Sequence, residues 1–122
     1  MILVIAAFGG LGAATRFVVD GLIRGRWSHT FPVATVLINV TGSLAIGLLA
    51  GAGLYHGLGS DLHAAAATGF CGGYTTFSTA MVETVRMIQS GQVRRAVVNA
   101  VGSLVLAVAA AALGVATMWV TR

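Results

Sequence analysis

No charged residue stands between Phe31 and Tyr55, a stretch of 25 positions. As a helix it is about 37 Å long, enough to cross the roughly 30 Å hydrocarbon layer of a bilayer. Three further apolar runs accompany it. Ile2 to Val19 is interrupted only by Thr15 and Arg16, Leu62 to Val82 is uncharged, and Ala96 to Val120 carries Asn99 and Ser103 near its start. Spans of about 20 residues each use up most of the 122 positions. What is left is short connections at about 20–30, 56–61 and 83–95. The pattern predicts a single all-α membrane domain with transmembrane helices at about 2–21, 31–55, 62–83 and 96–120.

Composition closes off the soluble alternatives. Hydrophobic residues make up 57% of the chain and charged residues 8%, against the quarter or so usual in globular domains. So few charges cannot cover a water-facing surface, which excludes a soluble enzyme, a nucleic-acid binder and a disordered chain. The net charge of +4 comes from seven arginines set between apolar runs, where membrane orientation explains them better than nucleic acid does. The single cysteine, Cys71, excludes an internal disulfide and a multi-cysteine metal site. The first run has no basic residue ahead of it, and Arg16 follows rather than precedes its apolar stretch. It therefore reads as a span, not as a cleavable leader.

The opening run from Ile2 to Gly12 also has the look of a dinucleotide-binding strand and turn. That fingerprint wants a third small residue, where Thr15 stands, and an acid some 20 residues on. Close helix packing through Gly9, Gly10, Gly12 and Ala13 is the simpler reading. Gly47 with Gly51, and Gly69 with Gly73, repeat the small-xxx-small spacing. Four thin helices enclose little interior, so oligomerisation is expected.

Polar groups inside lipid-spanning segments are expensive, and they mark where function sits. Asn39 lies mid-span with Thr35 one turn earlier on the same face. Both can bond neighbouring helices as packing glue, or the amide can donate to an anion. The third run carries Gly69-Phe-Cys-Gly-Gly-Tyr-Thr-Thr-Phe-Ser-Thr79. Two glycines followed by two β-branched threonines disfavour a continuous helix. A mid-membrane break frees backbone groups and is tolerated only inside protein or beside a cavity, where such breaks make ion sites. Freed carbonyls suit a bare cation, and the hydroxyls of Thr75, Thr76, Ser78 and Thr79 can donate to an anion. The plainer alternative is a kink whose hydroxyls bond back to their own helix. Phe77, just after the break, can turn an electropositive ring edge toward an anion.

This stretch resembles the signature of the Fluc (CrcB) family of fluoride ion channels. Gly9-Gly-Leu-Gly-Ala-Ala-Thr-Arg16 and Thr35-Val-Leu-Ile-Asn39-Val-Thr-Gly42 support the likeness, which runs from about residue 8 to 105. The resemblance implies an antiparallel dimer of four-helix subunits, with helix three broken mid-membrane and two pores along the interface. A structural Na+ at the dimer centre would be held by the backbone carbonyls of Gly72 and Thr75. Asn39, Phe77 and Ser78 would line the fluoride pore with Thr35, Thr76, Thr79 and Ser103, Arg16 would stand at an aqueous vestibule, and Glu83 at a pore mouth. Fluoride is small and strongly hydrated, so several donors must replace its water at once. Amides, hydroxyls and ring edges do this without a fixed charge that would trap the ion. With no fuel-binding motif, the implied function is passive export of fluoride from the cytoplasm, relieving its toxicity. The implied partners are fluoride, membrane lipid and a second subunit, with no nucleic acid.

The chain departs from the family pattern at three positions. Ala80 stands where a second pore phenylalanine is expected, Asn99 where a tyrosine is common, and Ala107 where a second serine follows Ser103. One pore lining is thereby incomplete. The 20–30 and 83–95 connections carry Arg24, Arg26, Arg86, Arg94 and Arg95, and the opposite side only Arg122. Such a bias predicts one fixed orientation with those connections cytoplasmic, and so favours a heterodimer with an oppositely inserted homologue; the alternative is an antiparallel homodimer of dual topology whose bias is weaker than the count. Two other classes compete: a small four-helix multidrug exporter and a non-conducting partner subunit of a membrane complex. Proton-coupled cation export needs an acid within the first span, where this chain has Arg16, and a mere packing subunit has no need of a mid-membrane break.

Overall fold

The computed structural model describes residues 1–26 and 33–122. The expected start of the second span at Phe31, and positions 27–30 of the first connection, lie outside the described residues. Helix α1 runs Ile2–Arg26 and α2 Val33–Tyr55. A short turn at 56–59, with Gly57 at φ 70, leads into α3, Ser60–His63. The same rod continues through a wider π-helical stretch, Ala64–Cys71, into α4, Gly72–Tyr74. Thr75 and Thr76 are extended, and α5, Phe77–Gln89, follows them. A turn through Gly91, at φ 82, joins α5 to α6, Val93–Val120. Three of these helices, α1, α2 and α6, are long and apolar enough to cross a membrane.

Two helices outrun their apolar patterns. α1 passes the expected end near 21 and continues to Arg26, where Asp20 and Arg24 pair at 2.8 Å one turn apart. α5 extends to Gln89, so the expected connection 83–95 shrinks to the residues between it and α6. Arg86 is helical, and Arg94 and Arg95 fall in the first turn of α6. An apolar run marks where lipid ends, and a helix is free to continue past that point on side-chain pairs.

Glycine sets how closely the helices approach. α2 lies along α6, with Gly47 against the backbone of Ala111, Gly51 against Met118, and Gly114 against Leu44 and Leu48. α1 lies along the 60–74 rod, with Gly12 against the Phe70 carbonyl and the Tyr74 amide, and Gly73 against Gly9. Gly9 and Gly12 thus belong to a helical packing face, and residues 2–12 form no strand. Gly10, expected to pack with them, faces open space.

The buried core is small: Ala34, Ile38, Ala65, Cys71, Met87 and Ala96, with Thr35 and Asn99 as its polar members. Large apolar side chains such as Leu3, Phe17, Leu54 and Leu104 are exposed instead, the distribution of a chain whose outer surface meets lipid or another subunit. Near the start of α2, Thr35 meets Glu83 of α5. Beyond the far end of α2, His56 Nε2 lies 2.9 Å from the carbonyl of Met118 on α6. The C-terminal part of α1, the start of α2 and the middle of α5 therefore share one end of the bundle.

Candidate functional site

The chemistry gathers where the helical rod stops. The helix passes through Gly72 and Gly73 without interruption and ends at Tyr74. Thr75 (φ −79, ψ 157) and Thr76 (φ −145, ψ 111) then run extended. Thr75 bonds back, its N–H and its hydroxyl both donating to the Cys71 carbonyl at 2.9 Å. Thr76 turns outward and is held by Asn39. The Thr76 N–H donates to Asn39 Oδ1 at 2.8 Å, and Asn39 Nδ2 donates to the Thr76 carbonyl at 2.9 Å. A side-chain amide thus presents the donor and acceptor that a neighbouring strand would supply. Thr76 also caps α5, its Oγ1 accepting from the Thr79 N–H at 3.2 Å.

The break leaves a carbonyl end, at α4, and an amide end, at α5, on either side of the extended pair. An unbroken helix would give the Gly72 carbonyl the Thr76 N–H, and that N–H is taken by Asn39. Gly72 is exposed, and no atom lies within 4 Å of where a Cβ would stand. A released carbonyl oxygen is a hard donor of the kind that coordinates Na+ at broken membrane helices, and the Gly72 carbonyl has that chemistry. Among the described residues no group of three or more His, Cys, Asp or Glu side chains offers a conventional metal site. On the other side of the break, the first amides of α5 carry the positive end of the helix dipole.

A groove of about 290 Å³ opens beside the break. Its walls include Asn39, Thr76, Phe77 and Ser103 of the expected pore set, together with Thr75, Thr84, Asn99 and the two alanines, Ala80 and Ala107. Phe77 is 77% exposed, its ring lying largely outside the packing of its own chain. Thr35, Thr79 and Arg16 lie elsewhere, in a recess of about 240 Å³ shared with Thr76 and Asp20. Ser78, Thr79 and Glu83 line a third space of about 390 Å³ with Asp20, Arg24 and Arg86. Thr76 is common to the first two spaces and Thr79 to the last two. The expected residues therefore form a string from the helix break toward the arginine-bearing end, not one cluster.

Two of them are engaged in ways the sequence did not indicate. Thr35, 3% exposed, donates its hydroxyl to Glu83 Oε1 and so does not extend the Asn39 donor face. The other oxygen of Glu83 lies 3.9 Å from Arg24, which also holds Asp20. Asn39 has one N–H committed to Thr76, leaving one N–H of its amide for a ligand. Thr84 was missed altogether. It receives an N–H from Asn99 at 2.8 Å, and only the contact between α5 and α6 brings the two together. Neither residue stands in a motif that could have pointed to this pair.

The family model described as CrcB-like protein, Camphor Resistance (CrcB), matches residues 3–115. The fluoride-specific ion channel FluC 1 of Leifsonia xyli subsp. xyli is 49% identical over 114 residues, 93% of this chain and 83% of that one. FluC 2 of Cutibacterium acnes is 46% identical over 109 residues, 88% of this chain and 89% of its own length. FluC 2 of Mycobacterium tuberculosis H37Rv is 43% identical over 114 residues, 93% and 85% of the two chains.

Proposed function

The chain belongs to the CrcB family, and from that premise we propose that it is a subunit of a passive, fluoride-selective channel that carries fluoride out of the cytoplasm. The observation that carries this reading is the clamp of Asn39 on Thr76. It holds open a break beside a largely apolar groove into which a few neutral polar groups are set, the amides of Asn39 and Asn99 and hydroxyls such as those of Thr76 and Ser103, together with the Phe77 ring and with no charged side chain in its walls. Such donors can replace the water of a small hard anion yet release it. Export follows from acid–base chemistry: hydrogen fluoride crosses lipid, dissociates inside, and leaves an anion that needs a path.

In this reading the 60–74 rod and α5 together make a fourth crossing, interrupted at mid-membrane. Two subunits pair antiparallel with their breaks apposed, completing the groove from both sides. The Gly72 and Thr75 carbonyls would hold a structural Na+, whose charge would offset the mutual repulsion of the carbonyl oxygens around it. Arg16 stands at the vestibule, and Ser78, Thr79 and Glu83 lie toward the mouth. The arginine-rich end is cytoplasmic, and five arginines against one favour a fixed orientation. The partner is accordingly an oppositely inserted homologue, a reading supported by relatives whose names number them FluC 1 and FluC 2.

A multidrug exporter fits less well. The first acid of α1 is Asp20, and it is paired with Arg24. Fluoride efflux from liposomes tests the proposal, with chloride as the comparison ion. We expect fluoride flux well above chloride flux, lost in Asn39→Ala and Phe77→Ala. Equal flux of both ions, or no effect of either substitution, overturns it.

A further inference from the structure

Asn99 is 3% exposed, yet it lines the groove that also contains Asn39 and Thr76. A buried amide in a membrane helix is costly unless its bonds are made, and here they are made in one direction. Asn99 Nδ2 donates to Thr84 Oγ1 at 2.8 Å, and the Thr84 hydroxyl donates in turn to the Ala80 carbonyl at 2.8 Å. The Ser103 hydroxyl reaches Asn99 Oδ1 at 3.5 Å. One N–H of the amide thus has an acceptor at normal length, the carbonyl has only the long Ser103 contact, and the second N–H is left for a ligand. The 2.8 Å bond to Thr84 fixes the plane of the amide, and so the direction of its remaining N–H.

We propose that Asn99 is an anion-binding residue of the groove and that Thr84 is its positioning residue, the ligand being the same fluoride ion. The inference rests on the channel reading and deepens it: the groove carries two neutral amides, on α2 and α6, each with one N–H committed to a neighbour and one left over. Asn99 therefore does not leave this lining incomplete, and it supplies a donor beside the apolar Ala80 and Ala107. A leucine of similar size would pack against α5 equally well, and only the amide gives the wall a donor. The absence of charge keeps binding weak enough for passage.

The test is fluoride efflux from liposomes containing the assembly in which the chain conducts, alone or with its partner subunit. Asn99→Leu and Asn99→Asp keep the size and remove the donor, and each should slow efflux about tenfold or more, the worth of one hydrogen bond to an ion. Thr84→Val should raise the half-saturating fluoride concentration several-fold, while Thr84→Ser, which keeps the hydroxyl, should restore it. Size-exclusion chromatography reports whether each variant assembles. An assembled Asn99→Leu channel with wild-type flux overturns the inference, as does equal loss in Thr84→Val and Thr84→Ser, which would mark a packing role. Should Asn99→Leu not assemble, Asn99→Asp and the Thr84 pair decide on the same terms. Wild-type assemblies without fluoride flux overturn the channel reading and this inference together, whereas wild-type flux that is indifferent to Asn99 overturns the inference alone.

Discussion

Asn39 and Thr76 are joined by two hydrogen bonds of opposite sense, 2.8 Å from the Thr76 N–H to Oδ1 and 2.9 Å from Nδ2 to the Thr76 carbonyl. They are 37 residues apart in the chain, and the pair locks α2 to the only extended segment between α4 and α5. The Thr76 N–H has given up its helical partner, the Gly72 carbonyl, and Asn39 Oδ1 replaces it, while Asn39 Nδ2 adds a second donor to a carbonyl that already begins α5 as its N-cap. Asn39→Ala should therefore destabilise the fold by about 1–3 kcal/mol, because it leaves the Thr76 N–H without its acceptor and removes one of the donors on the Thr76 carbonyl. Asn39→Asp keeps an acceptor for the N–H but loses the donor to the carbonyl, so it should fall between the two. Thermal unfolding in detergent checks the order wild type, Asp, Ala.

How far the sequence foretold this site can be seen at the break itself. The glycine pair Gly72–Gly73 drew attention, but the helix runs through both of them. Gly73 is there because Gly9 of α1 lies against it, and the interruption falls at Thr75 and Thr76, where β-branching and the Asn39 amide act together. The apolar runs located α1, α2 and α6 because lipid demands them, but not their ends, which rest on pairs such as Asp20 with Arg24. Thr35 and Asn39 shared a face of α2 in the pattern. Their separate engagements, with Glu83 and with Thr76, arise from which part of α5 each one meets. The link from Thr84 to Asn99 exists only after α5 and α6 have packed, and so no local spacing encodes it.

Helix apposition should be sensitive to single methyl groups at chosen glycines and indifferent to them at others. A Cβ at Gly47 would run into the backbone of Ala111, and one at Gly114 into Leu44 and Leu48. Neither backbone can give way as a flexible side chain would. Gly47→Ala and Gly114→Ala should each cost about 1–3 kcal/mol. Gly10 and Gly102 have nothing within 4 Å of the added carbon, so alanine there should be neutral or stabilising by about 0.5–1 kcal/mol, through helix propensity. Unfolding midpoints of the four variants in one detergent separate the two groups.

The proposed sodium site makes assembly testable by ion exchange. If Gly72 and Thr75 oxygens of two subunits face one Na+, replacing Na+ with a large organic cation during purification should weaken subunit association and lower fluoride efflux. Readdition of Na+ should restore both. Cross-linking yield and electrode-recorded efflux, measured on the same preparation, give the answer. Efflux that is unchanged after prolonged Na+ exchange would remove the ion from the assembly.

Orientation is the most consequential prediction, because it decides whether one chain makes a channel. Arg24 and Arg86 line one space at the end of the bundle where α1 finishes, and Arg94 and Arg95 begin α6. Arg122, at the far end, stacks on Trp119 with its guanidinium carbon 4.3 Å from the ring centroid. Positive charge near span ends is retained on the cytoplasmic side, so reporters fused to the C-terminus should report an outside location in nearly every molecule. Arg94→Gln with Arg95→Gln should shift part of the population to the opposite orientation by thinning that charge. A chain held in one orientation cannot form an antiparallel pair with itself. Expressed alone in a fluoride-sensitive host, the wild-type chain should rescue growth poorly, and the double variant should rescue it better. Full rescue by the wild-type chain, with flux from the purified single protein, would establish a homodimer instead.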